Sequence, residues 1–235
     1  MPTENPTASQ RIVLFDLDHT LLPIDSDYAW GNFTITLGWS DPVEFARRND
    51  EFYAHYQAGT LDVHDYVRFA TKAMREQGPD NALAGRARFM REIIAPAIKP
   101  QALQLVRQHQ QAGEQVVIIT ATNEFVTRPI ADALGVSELI AVELEREVAR
   151  DGAGQGWFTG EISGTPSFRE GKVKRFEQWL QAHQRSRSQL DVTFYTDSIN
   201  DLPLLEQADH PVATNPDERL KALALSRGWR ILELF

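Results

Sequence analysis

The chain has 235 residues, 42% of them hydrophobic and 24% charged, a balance that fits one large globular domain or a core carrying a smaller insert. Its 33 acidic and 24 basic residues leave a net charge of −9, which argues against a nucleic-acid partner held chiefly through phosphate contacts. Without cysteine, disulfides, thiolate catalysis and zinc–thiolate sites are excluded, and no apolar run approaches the roughly 18–20 residues of a membrane span.

Residues 1–7, Met-Pro-Thr-Glu-Asn-Pro-Thr, lack the charged-then-apolar pattern of a signal peptide and read as a tail, so the expected setting is cytoplasmic. Ile12-Val13-Leu14-Phe15 is continuously apolar and β-prone, as a strand buried on both faces of a parallel sheet should be. The run stops at Asp16 and Asp18. Ligands of open α/β sheets bind beyond the carboxyl ends of strands. Two carboxylates so close repel unless a cation lies between them or one keeps a proton. Asp-x-Asp-x-Thr after such a strand therefore points to a magnesium-dependent aspartyl nucleophile, with an ordinary acidic turn as the competing reading.

Leu22–Ser26 reads as a linker broken by Pro23, and helices are expected over 27–38, 41–58, 62–77 and 82–97. Asp41-Pro42 supplies an N-cap followed by proline at the first helical position. Gly59, Gly78-Pro79 and Pro96 punctuate the series. So many helices after a single strand break the βαβ alternation, which implies an inserted α-helical cap over 26–98 between core segments 1–25 and 99–235. The rings of Trp30, Phe33, Trp39, Phe52, Tyr53 and Tyr56 are expected mostly in the core of that bundle.

Alternation resumes at Pro100. Strands are expected over 115–120, 139–144, 192–196, 211–213 and 230–234, with helices over 101–112, 125–134, 172–183, 201–207 and 217–226. The glycine-rich stretch 145–170 suggests hairpins at the edge of the site. The expected fold is a three-layer, Rossmann-like α/β sandwich with a parallel central sheet and the helical cap.

Four stretches occur in a telling order: Phe15-Asp16-Leu17-Asp18-His19-Thr20-Leu21, Ile118-Ile119-Thr120-Ala121, Gly171-Lys172-Val173-Lys174, and Tyr195-Thr196-Asp197-Ser198-Ile199-Asn200-Asp201. Together they resemble the haloacid dehalogenase superfamily, and within it the phosphoserine-phosphatase-like branch. His19 departs from the Gly or Ser often found at that slot. The resemblance implies a Mg²⁺-dependent phosphatase acting on a small phosphorylated metabolite through an aspartyl-phosphate intermediate. Asp16 would be the nucleophile and Asp18 the acid–base group, their exchange being the internal alternative. Thr120, with the backbone N–H of Ala121, and Lys172 would hold the phosphoryl group; Lys174 competes with Lys172. Asp16, Asp18, Asp197 and Asp201 are the implied metal set, Asp18 through its backbone carbonyl, with Asn200 near the phosphate.

Asp25 stands nine positions after Asp16, where phosphoserine phosphatases carry an acidic residue for the substrate's ammonium; a helix N-cap is the competing reading. Arg47, Arg48, Arg68 and Arg75 are candidates for a substrate carboxylate. An amine-bearing ester such as phosphoserine or histidinol phosphate is expected. A non-hydrolytic phospho-acceptor module and a phosphomutase are the alternatives on the same fold.

Overall fold

The computed structural model describes residues 10–58, 60–148 and 155–235, so the tail at residues 1–7, Gly59 and the tip of the 145–170 stretch lie outside the described residues. Six strands make a parallel sheet: β1 (Gln10–Phe15), β2 (Gln115–Asn123), β3 (Glu138–Val142), β6 (Leu190–Thr196), β7 (His210–Thr214) and β8 (Arg230–Leu232). Their order is β3-β2-β1-β6-β7-β8. The chain runs outward from β1 to β3, returns to β6 on the other side of β1, and runs outward again. That reversal puts the topological switch point between β1 and β6, where open α/β sheets bind ligands.

Alternate side chains of β1 feed two cores. Val13 and Phe15 face one side and Ile12 and Leu14 the other, all at most 1% exposed. On the second face pack α7 (Glu170–Ala182), α8 (Leu202–Leu205) and α9 (Glu218–Arg227), through Phe176, Trp179, Leu204 and Leu220. The first face takes α5 (Pro100–Gln111) and α6 (Glu124–Ala133). It also takes part of the helical insert: α1 (Ser26–Thr36), α2 (Pro42–Ala58), α3 (Val63–Phe89) and α4 (Ala95–Ala97). Trp30, Phe33 and Phe89 of the insert join Phe125 of α6 in one aromatic cluster. Each such ring contributes about 1.5–3 kcal/mol by burial.

The caps fall where short acidic residues announce them. Asp25 accepts from Tyr28 N at 2.8 Å, Asp41 from Glu44 N at 2.8 Å and Asp62 from His64 N at 2.9 Å. The Gly78-Pro79 break is present as well. Gly78 has φ +76°, a value costly for other residues, and its non-helical backbone divides α3 into two helical halves across a kink. Beyond it the helix runs on to Phe89 and then widens into a π-turn at Met90–Ile94.

Two expectations need correction. β2 runs through Thr120 to Asn123, with an irregularity in its pairing to β3 between Ile119 and Asn123. The antiparallel hairpin of β4 (Leu144–Val148) and β5 (Gln155–Ile162) packs on α3 instead of edging the site. Arg68 explains this: it grips Glu161 at 2.7 and 2.9 Å, while Arg75 donates to the carbonyl of Thr159 at 3.1 Å. Among the described residues no helix is long and apolar enough to cross a membrane.

Candidate active site

β1 ends at Phe15, which pairs with Ile118 of β2 and with Tyr195 of β6. Asp16 extends this by one residue, its N–H donating to Tyr195 O at 2.9 Å. The chain then turns so tightly that Thr20, Leu21 and Leu22 all donate to the carbonyl of Leu17. His19 takes φ +57° in this turn, a region that favours glycine, and its carbonyl accepts from Asn215 at 2.9 Å. β2 overhangs the end of β1, and Thr120 to Thr122 thereby meet the acidic turn.

Lys172 is the centre of charge. It is 2% exposed, and its ammonium donates to Asp16 Oδ1 at 2.7 Å and to Asp201 Oδ2 at 2.6 Å. Burial lowers its proton affinity, but the two carboxylates outweigh that and hold it above the ordinary lysine value. Gly171 lets the helix begin here, since a Cβ at that position would lie 2.0 Å from the carbonyl of Pro166. Ser167, fully buried, pins the same loop to the carbonyl of Thr120. Lys174 is exposed, so the geometry brings Lys172 and not Lys174 into the cleft.

Four carboxylates line the cleft with this one lysine, which bonds to two of them. Burial, offset by Lys172, pushes Asp16 up to about 6. Asp18 stands well above the usual carboxylate range through burial and its acidic neighbours Asp25 and Asp16. Burial together with Asp16 and Asp201 pushes Asp197 up to about 9. Asp201 is locked by Lys172 and by Thr196, which donates to the same Oδ2 at 2.6 Å. Thr20 links the two strand ends, lying 3.3 Å from Asp16 Oδ2 and accepting from Asp197 N at 3.0 Å. Asp18 is oriented by Ser26 N at 2.7 Å and Thr122 Oγ1 at 2.9 Å.

These groups open into one cleft of about 300 Å³, also lined by Thr120, Ala121, Asn200 and Asp25. Asn200 accepts from Arg169 at 3.2 Å. Asp25 lies at the rim, exposed and committed to capping α1. None of the four candidate arginines lines the cleft: Arg47 and Arg48 pair with Glu51, while Arg68 and Arg75 hold the hairpin.

A match to the model of the haloacid dehalogenase-like hydrolases spans residues 13–206, from within β1 to just past Asp201. The chain belongs to that family. This haloacid dehalogenase-like hydrolase is 37% identical over 224 residues to a histidinol-phosphatase of Neisseria meningitidis, covering 95% of this chain and 98% of that one. It is 29% identical to the phosphoserine phosphatase SerB1 of Mycobacterium tuberculosis, covering 92% and 68%. A crystal structure of a protein of unknown function from Bordetella pertussis Tohama I superposes with a TM-score of 0.88 at 43% identity, covering 97% and 100%. A phosphoserine phosphatase, solved as a phospho-aspartyl intermediate analogue, matches the fold at TM-score 0.64 and 15% identity, covering 97% and 94%. With family and relatives in agreement, the enzyme is a phosphoric monoester hydrolase.

The sequence reading of this hydrolase missed several cleft residues. Thr122 could have been found, since it follows Thr120 by two and so shares its side of the strand. Tyr56, expected in the core, instead reaches Ser198 Oγ at 3.2 Å. Asp27, 7% exposed, was not singled out; Asn123 donates to it at 3.2 Å and Tyr66 also donates.

Burial and the charge on Asp25 push Asp27 up to about 7. A carboxyl whose affinity is raised on folding keeps its proton in the native state at pH values where the unfolded chain has lost it. Stability therefore falls as pH rises from about 4 to about 7 and then levels off. Asp27→Asn, neutral throughout, should match wild type near pH 4 and exceed it by a few kcal/mol near pH 8. Urea unfolding at the two pH values measures this. An equal difference at both would show that Asp27 does not carry the shift.

Proposed function

We propose that the cleft hydrolyses a small phosphomonoester in two transfers through Asp16, with Mg²⁺ as cofactor. The observation that carries this reading is the division between the paired carboxylates: Asp16 is ion-paired to Lys172, while Asp18 has no ion-pair partner among the described residues and holds its proton tightly. Carboxylates pushed apart in this way are suited to different roles. An oxygen of Asp16 attacks phosphorus, the ester P–O bond breaks, and the leaving oxygen takes the proton of Asp18. Water then attacks the aspartyl-phosphate, passes a proton to Asp18, and the Asp16–phosphorus bond breaks. Lys172 and Thr120 would hold the phosphoryl oxygens through both transfers.

The residues fit the metal. Their donors are all oxygen, and four carboxylates share one lysine, a deficit of positive charge that a divalent cation would cancel. Mg²⁺ takes one or two carboxylates and completes its shell with carbonyl, water and phosphate oxygens. Asp16, Asp197 and the carbonyl of Asp18 would hold it. Asp201, with Oδ2 already shared by Lys172 and Thr196, would orient that shell. When bound, Mg²⁺ supplies charge neutralisation at the phosphoryl oxygens.

Helices α1–α4 would act as the cap that selects the leaving group. Lys172 is the only lysine or arginine among the described residues lining the cleft, and it is already engaged. That supports an amine-bearing ester without a carboxylate, such as the histidinol phosphate implied by the Neisseria relative, over phosphoserine. Phosphate release from histidinol phosphate, phosphoserine and p-nitrophenyl phosphate tests the reading. Free phosphate from none of them would remove it in favour of the phospho-acceptor alternative, and transfer to a second hydroxyl would mark a phosphomutase.

Chelation by EDTA should silence the enzyme and added Mg²⁺ restore it. Asp197→Ala should raise the Mg²⁺ concentration for half-activity by at least about tenfold. Activity that continues unchanged in chelator would contradict the metal assignment.

A further inference from the structure

The insert supplies much of the rest of the cleft's lining. Phe52, Tyr53, Tyr56 and Tyr66 line it there, together with Asp27 and Asn49. Asn49 is 9% exposed, and its carboxamide has no hydrogen-bond partner among the described residues. Its polar atoms stay accessible to the solvent of the cleft it lines, so a polar ligand there can take the place of water on both of them. Asp27 is buried in the same wall with only Asn123 and Tyr66 as hydrogen-bond partners, and no lysine, arginine or histidine among the described residues pairs with it.

We infer that Asn49 and Asp27, set among these four rings, form a second subsite that holds the ester's leaving group as a compact, positively charged nitrogen base. The inference rests on the phosphatase reading given above for the cleft. Each part of the wall fits such a base. A carboxylate buried without a counter-charge gains most from a cation, and phenol and phenyl faces attract one as well. The carboxamide offers both a donor and an acceptor, which suits the two unlike nitrogens of an imidazole or the hydrogens of an ammonium group. A volume of about 300 Å³ admits a small base with its phosphate and little more. Asp25, at the rim with its carboxylate spent on capping, is the lesser anchor.

The test compares wild type with Asp27→Asn and Asn49→Leu, both close in size to the originals. The readout is the ratio of kcat/KM for histidinol phosphate to that for p-nitrophenyl phosphate, whose leaving group carries no cation. Each substitution should lower this ratio by at least about tenfold. Separately, L-histidinol without phosphate should raise the melting temperature of wild type and raise it much less in either variant. Equal losses on both substrates would assign the two residues to folding and overturn the subsite, as would an unchanged ratio. If wild type hydrolyses neither ester, the phosphatase reading fails, and the melting shift with L-histidinol still decides whether the subsite exists.

Discussion

Asp16→Asn should lower kcat by on the order of 10³-fold or more, equivalent to about 4 kcal/mol of barrier. The amide keeps the shape of the carboxylate, and the backbone N–H of residue 16 can still donate to the carbonyl of Tyr195. What it loses is the anionic oxygen that would attack phosphorus. Lys172 keeps Asp201 at 2.6 Å, so the buried ammonium is not stranded and the fold should survive. Phosphate release under saturating substrate measures the loss, with thermal melting as the control for folding. Retention of more than about a tenth of wild-type turnover would transfer the nucleophile's role elsewhere, Asp18 being next in line.

Much of this site was legible because its chemistry lies at strand ends. A parallel strand buried on both faces must be continuously apolar, so Ile12 to Phe15 announce β1, and the first charged residue after them marks its carboxyl end. The same logic found Asp197 beyond β6. What the pattern could not supply was depth across the cleft. Asp25 and Asp27 sit two apart at the start of α1, and both read as acids capping a helix N-terminus. Only the packing of α3 and β2 separates them, burying Asp27 against Tyr66 and Asn123 while Asp25 stays exposed.

The arginines failed for a related reason. Arg68 and Arg75 lie on α3, where helical spacing says which residues share a face but not what that face meets. It meets the β4–β5 hairpin, a non-local partner that no pattern within α3 could name. The overhang of β2 was also invisible, because Thr120, Ala121 and Thr122 continue a strand as readily as they end one.

Lys172→Met should have the second large effect, and Lys174→Met none. The two lysines are two residues apart, and sequence left them in competition. Burial separates them: Lys172 is 2% exposed between two carboxylates, whereas Lys174 faces solvent. Methionine fills the volume but leaves Asp16 and Asp201 facing each other without a counter-charge. Breaking a buried pair in this way costs about 3–5 kcal/mol. The cost should depend on pH. Without the ammonium nothing offsets the burial that already raises Asp16, so Asp16 holds its proton more tightly still and the variant loses stability as pH rises. Melting in the presence of chelator should therefore show a larger deficit near pH 8 than near pH 5. Activity should fall on the order of 10²–10³-fold, the scale of losing one group that stabilises charge in the transition state. Comparable losses in Lys174→Met, or a deficit in Lys172→Met that shrinks as pH rises, would dissolve the assignment of Lys172 as the cation shared by Asp16 and Asp201.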